Sequence, residues 1–206
     1  LAMVVRGQAP EALLASYDTE RRRVAVRNTG FARHFADSVG LFTARPELEA
    51  DGPVGEAERA LAARHFDEHA RLEFNIPGVT FGGRYDGSPV IVSDGCSPPP
   101  DLPNVYVPTA VPGGRPPHAW MPDGRSLYDL MHTEWTLLVL GAAPPDGTPF
   151  ADAARAMGLD LGVLVLPDPG LQALYGAALV LVRPDNMVAW RGPSAADAGW
   201  VLARVT

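Results

Sequence analysis

The stretch "ALVLVRPDNMVAWRG" (Ala178–Gly192) decides how the second half of this 206-residue chain folds. Five apolar residues run from Ala178 to Val182, Pro184, Asp185 and Asn186 form a turn signal, and four more apolar residues precede Arg191. Two short apolar runs joined this way predict an antiparallel hairpin. Proline presets φ for the turn, and asparagine tolerates the left-handed backbone that closes it. No side chain in the stretch is an evident catalyst. It predicts a core.

Working outward, "TLLVLG" (Thr136–Gly141) and "LGVLVL" (Leu161–Leu166) read as buried strands by length and composition. "PFADAARAMG" (Pro149–Gly158) reads as a short helix ended by glycine, and "GLQALYG" (Gly170–Gly176) as a further helical turn or two. "SAADAGWVLARV" (Ser194–Val205) closes with a helix capped by Ser194. The order β-α-β-α-β-β-α makes the first two strands parallel and the last two antiparallel. A mixed sheet with helices on both faces is the thioredoxin-like α/β plan. An active thioredoxin needs a CxxC pair after its first long strand, where a helix N-terminus lowers the thiol pKa. Here "GAAPPDGTP" follows that strand, and Cys96, the single cysteine, lies upstream in a Pro-rich loop. The plan is expected without its thiol chemistry.

The first half is helical. From Pro10, at a first helical position, to Val39, the residues Leu13, Leu14, Tyr17, Val24, Phe31, Phe35 and Val39 form one apolar stripe. Glu20 and Arg21 interrupt that stripe, which implies an ion pair or an interface. Gly30 is a candidate kink or helix end. Residues 44–55 read as a loop and residues 56–73 as a second helix; two helices alone make too little core. Residues 77–122 are rich in Gly and Pro and read as an ordered connector carrying edge strands such as "PVIVS" (Pro89–Ser93). The opening "LAMVVRG" resembles the last turns of a helix that starts upstream, so the chain reads as a piece of a longer protein.

Composition limits function. A formal net charge of -7 argues against nucleic acid, which recruits clustered Lys and Arg. The run Arg21-Arg22-Arg23 sits on a helix behind Glu20 and reads as a solvated or paired face. No segment offers the roughly 20 apolar residues of a membrane helix, and one cysteine forms no internal disulfide. A cytoplasmic setting is the expectation. His65 and His69 are four apart on a helix, but Phe66 stands where a zinc protease needs Glu, so they read as polar residues of an exposed helix face. His118, near Arg115 and Trp120, is a candidate acid or base, or a loop-fixing residue. The glycines of "FGGRYDG" and "PGGRPP" fit neither GxGxxG nor a P-loop. No residues are assigned to catalysis, cofactor binding or metal.

Four blocks, taken together, resemble the FAD-dependent aromatic-ring hydroxylases, the phenol hydroxylase and polyketide oxygenase group. They are "LLASYDTERRRVAVRNT" (Leu13–Thr29), "FGGRYDGSPVI" (Phe81–Ile91), "YVPTAVPGGRPPHAWMPDGRSLYDL" (Tyr106–Leu130) and "LVLVRPDNMVAWRG" (Leu179–Gly192). Arg23 replaces that family's usual Pro, and Asn186 its usual Gly. The resemblance implies that residues 1–75 are the helical tail of a flavin and substrate domain. Residues 76–206 are then a thioredoxin-like C-terminal domain serving packing or homodimer contacts. It further implies that FAD, reduced by NAD(P)H, belongs to an N-terminal FAD-binding region outside these residues, with no cofactor on this part alone. Tyr17, Glu20, Arg21, Arg115 and His118 are the candidate interdomain contacts. The alternative is a stand-alone thioredoxin-like binding module; a hydrolase centred on His118 lacks a nucleophile in the sequence.

Overall fold

The computed structural model describes the backbone of residues 1–206 and every side chain but that of Val39, whose place in the predicted stripe lies outside the described residues. In chain order the elements are α1 (Ala2–Val5), α2 (Leu13–Val39), a 3-10 turn (Pro46–Glu49), α3 (Pro53–Phe74), α4 (Pro77–Phe81) and α5 (Leu127–Leu130). They continue with β1 (Trp135–Leu140), α6 (Thr148–Ala156), β2 (Leu161–Leu166), α7 (Pro169–Tyr175), β3 (Leu179–Val182), β4 (Val188–Gly192) and α8 (Ala198–Val205). The chain divides into two compact units. Unit 1 comprises 1–23, 83–100 and 107–206, and unit 2 comprises 24–82 and 101–106.

Unit 1 holds the mixed sheet, ordered β2-β1-β3-β4. β1 pairs parallel with β2 over all six residues and antiparallel with β3; β3 and β4 pair antiparallel. This is the thioredoxin-like arrangement that the element order predicts. Side chains alternate across a strand, so β1 serves two cores at once. Leu137 and Val139 pack with Phe150 of α6 and Val201 and Leu202 of α8. Leu138 and Leu140 pack with Leu171 and Tyr175 of α7 and with Leu127 of α5. Helices therefore cover both faces.

The hairpin turns as its residues dictate. The Asn186 N–H donates to the Arg183 carbonyl at 3.0 Å, and Asn186 has φ 58°, the one non-glycine residue with positive φ among those described. α7 is closed at both ends: the Asp168 carboxylate accepts from the Gly170 and Leu171 N–H groups, and Gly176 takes φ 67°.

Four expectations are corrected. α2 runs unbroken through Gly30, since nothing crowds that position and one glycine costs only about 1 kcal/mol in a long helix. Pro10 lies before the helix, in a turn closed by the Leu13 N–H on the Pro10 carbonyl. Pro89–Ser93 is no strand: turns built on Ser88 hold it, and the Val92 N–H makes one bond to the Ala189 carbonyl of β4. Ser194 does not cap α8, because a turn places Asp197 at the N-cap instead. The Gly/Pro-rich connector also contains α4, and just beyond it α5 is started by a capping box of Ser126 and Asp129.

Unit 2 is held by polar and backbone contacts. The Arg27 guanidinium grips Asp101 through Nε and Nη2 at 2.6–2.9 Å and donates to the Gly78 carbonyl at 2.8 Å. Asn104 Nδ2 donates to the Leu72 and Asn75 carbonyls, both at 2.7 Å, and so ends α3. A side chain at Gly78 would place its Cβ 1.8 Å from the Leu102 carbonyl oxygen, so only glycine fits there. Among its described residues the buried hydrophobic ones are Phe35 and Ala62.

Candidate functional site

Glu20 carries the most demanding group in the chain, a carboxylate only 4% exposed. A buried charge persists only if it is paired and hydrogen-bonded. Glu20 Oε1 accepts from Ser88 Oγ at 2.6 Å and from Arg183 Nη1 at 2.6 Å, while Oε2 accepts from Arg183 Nη2 at 2.9 Å. Arg183 turns its remaining edge to Asp185, with Nε to Oδ1 at 3.0 Å and Nη2 to Oδ2 at 2.8 Å. The guanidinium also lies 5.4 Å over the Tyr85 ring. Burial acts to lower the Arg183 pKa, but Glu20 and Asp185 outweigh it and hold the group above the ordinary guanidinium value. The pair is bidentate and is held in place by the hairpin turn.

Beside this pair opens a cleft of about 440 Å³. Leu13, Leu14 and Val90 give it apolar walls, and Tyr17, Arg21 and Glu134 give it a polar rim. Tyr17 is 69% exposed. Arg21 Nη1 donates to the Tyr85 hydroxyl at 3.2 Å. Three of the predicted contact residues, Tyr17, Glu20 and Arg21, thus line one cleft. Their partners Ser88, Tyr85 and Arg183 were not singled out from the sequence, although each stands in a quoted block. The signal was available: an acidic residue on a buried stripe requires a buried base.

Arg115 and His118 sit elsewhere in unit 1 and line no part of that cleft. Arg115 Nε donates to the Tyr128 hydroxyl at 3.0 Å, and Tyr128 donates in turn to the Pro116 carbonyl. His118 Nε2 and Ser126 Oγ are 2.9 Å apart, and the imidazole meets Trp120 edge-on with centroids at 4.8 Å. Buried Tyr175 donates to the Pro117 carbonyl at 2.7 Å. Every one of these bonds fixes the course of residues 115–118. Ser126 Oγ, the hydroxyl beside His118, also accepts the Tyr128 N–H as the α5 cap, so it serves the turn.

The glycine turn at Gly113 and Gly114 does not fit the pyrophosphate of a flavin dinucleotide. A pyrophosphate needs free backbone N–H groups in a glycine turn that opens a helix. The Gly113 and Gly114 N–H groups are spent on the Val188 and Val111 carbonyls. Among the described residues no helix is long and apolar enough to cross a membrane.

His65 and His69 are not on a solvated face, contrary to the sequence reading. Both are half-buried, with ring centroids 4.0 Å apart, and Phe42 lies 5.2 Å from the His65 ring.

Comparison with known proteins follows from the same residues. Residues 109–205 match the family described as aromatic-ring hydroxylase, C-terminal. The FAD-dependent monooxygenase apdD of Emericella nidulans is 30% identical over 94% of this chain and 33% of its own length. Phenol 2-monooxygenase of a Pseudomonas species is 30% identical over 94% of this chain and 37% of its own length. Among solved structures, RebC with bound 7-carboxy-K252c superposes with a TM-score of 0.88 at 34% identity, over 99% of this chain and 39% of that one. The chain therefore spans between a third and two-fifths of the length of these relatives.

Proposed function

Because the chain belongs to the aromatic-ring hydroxylases and carries their C-terminal domain at residues 109–205, we propose that it is the C-terminal portion of a flavin-dependent monooxygenase. The whole enzyme hydroxylates a phenolic or polyketide aromatic substrate with NAD(P)H and O2 in the cytoplasm. FAD binds in an N-terminal region, and this portion is a structural and interaction element. Residues 1–75 are the tail of the flavin and substrate domain, and residues 76–206 are the thioredoxin-like domain that supports it.

The observation that carries this reading is the combination of a full-length match with an incomplete one. Nearly all of this chain aligns with FAD-dependent relatives, while most of each relative lies outside it. The exposed apolar side chains of unit 2, such as Leu41 and Phe74, support a partner surface and weigh against a self-sufficient binding module. Within unit 1, Tyr17 and Arg21 face the missing region from the cleft rim. Glu20 fixes the helix behind them, and Arg115 holds the loop that presents His118.

Flavin absorbance tests this directly. The 206-residue chain should purify colourless and leave NAD(P)H unoxidised, whereas the product of the extended reading frame should be yellow and consume NAD(P)H with substrate. A stoichiometric flavoprotein obtained from the 206 residues alone would sink the proposal. So would a start codon immediately before Leu1.

A further inference from the structure

Two nitrogen atoms in unit 2 lack any partner. Nε2 of His65 and Nδ1 of His69 are both screened from solvent and make no hydrogen bond. Buried polar atoms in this state are rare and point to a missing water or ion. Two other histidine side chains are engaged: His118 with Ser126, and His132 Nε2 with Asp160 Oδ1 at 2.8 Å. Trp135 Nε1 in unit 1 is the one other buried side-chain atom in this state among the described residues, and it stands alone, whereas the two imidazole nitrogens share α3.

The spacing explains why both orphans occur together. Residues four apart on a helix lie one above the other on the same face, and these two rings have centroids only 4.0 Å apart. The tilted Phe42 ring lies beside this site, its centroid 5.2 Å from that of His65 and 4.7 Å from that of Phe66. Imidazole nitrogens bind late first-row divalent ions at about 2.0–2.1 Å, so two nitrogens on one ion stand roughly 3 Å apart. Rings this close reach that separation by small rotations. No third His, Cys, Asp or Glu completes a cluster among the described residues, which leaves the other coordination positions to water.

We propose that His65 and His69 form a two-imidazole clamp for a late first-row divalent cation, tightest for Cu(II) and open to Ni(II) and Zn(II). His65 binds through Nε2 with its proton on Nδ1, and His69 binds through Nδ1 with its proton on Nε2. The hard ions Mg(II) and Ca(II), which select oxygen ligands, are not held.

The test uses the 206-residue chain and Cu(II) as the probe. Calorimetry should show one equivalent bound, and electron paramagnetic resonance should show hyperfine coupling to two nitrogens. His65→Gln and His69→Gln should each weaken binding about tenfold or more, while His34→Gln leaves it unchanged. The two-nitrogen signal of the unsubstituted protein needs no variant, so it decides the matter even if a variant folds poorly. Coupling to one nitrogen, or binding that persists in the double variant, would overturn the clamp.

Discussion

Unit 1 hides Leu137, Phe150 and Tyr175 completely, whereas unit 2, among its described hydrophobic residues, buries only Phe35 and Ala62 and leaves Leu41, Phe66 and Phe74 in contact with solvent. The two units are built on different physics. In unit 1 a sheet is covered on both faces, and the residues of the central strands β1 and β3 pack against helix residues on either side. In unit 2 the helices α2 and α3 are tied by Arg27–Asp101, Asn104 and the close approach at Gly78, with almost no hydrocarbon sequestered. The lesson is that helical regularity and independent stability are separate properties. α3 spans 22 residues, and helices of that kind depend on packing an apolar face.

The strongest way to break this contrast is a pair of deletions. Leu137→Ala should cost about 3–4 kcal/mol in urea denaturation, since the side chain is fully buried. Leu61→Ala, at 47% exposure, should change stability by less than about 0.5 kcal/mol. All four tryptophans, Trp120, Trp135, Trp190 and Trp200, lie in unit 1, so their fluorescence isolates that unit. Equal effects of the two substitutions would erase the distinction.

Glu20→Ala sharpens it. Although Glu20 belongs by sequence to the helical half, its removal leaves the buried Arg183 charge with Asp185 alone and should cost about 2 kcal/mol on the tryptophan signal. A loss confined to helical circular dichroism would assign Glu20 to the other unit. A smaller effect is expected at the hairpin, where Asn186→Ala forces an alanine to φ 58° and should cost about 1 kcal/mol.

The smallest effect concerns acid. Burial acts to raise the Asp94 pKa, but the Cys96 N–H and Arg191 outweigh it and hold the carboxyl below the usual carboxylate value. A depressed folded pKa contributes stability that is present above the unfolded pKa and lost as pH falls through the folded one. Asp94→Asn should therefore remove part of the acid limb of the stability profile below about pH 4, leaving the slope at neutral pH unchanged.

The sheet was legible because its signals are local. Leu161–Leu166 forms the predicted strand, and β1 differs from expectation by one residue at each end. The turn at Pro184–Asn186 needs only its own three side chains. What escaped depends on distance. Glu20 finds Arg183 at a separation of 163 residues, and no pattern near Glu20 names that partner. His65 and His69 are half-buried, with Phe42 lying beside the His65 ring, which helix spacing alone does not reveal. Pro89–Ser93 has strand composition, but Ser88 bonds to the backbone of the next residues and turns them instead.

Unit 1 is also assembled from three separate stretches of chain, 1–23, 83–100 and 107–206, with unit 2 spliced between them. The Glu20–Arg183 clasp joins the first stretch to the last. Unit 2 is in this sense an insertion, and its loop at 41–45 is a natural place for a protease to cut. Such a cut severs the chain without detaching its beginning, since residues 1–23 remain fastened to the hairpin by charge and not by the polypeptide. A deletion that removed the whole helical half at one point would take that clasp with it and leave Arg183 with Asp185 as its one carboxylate partner.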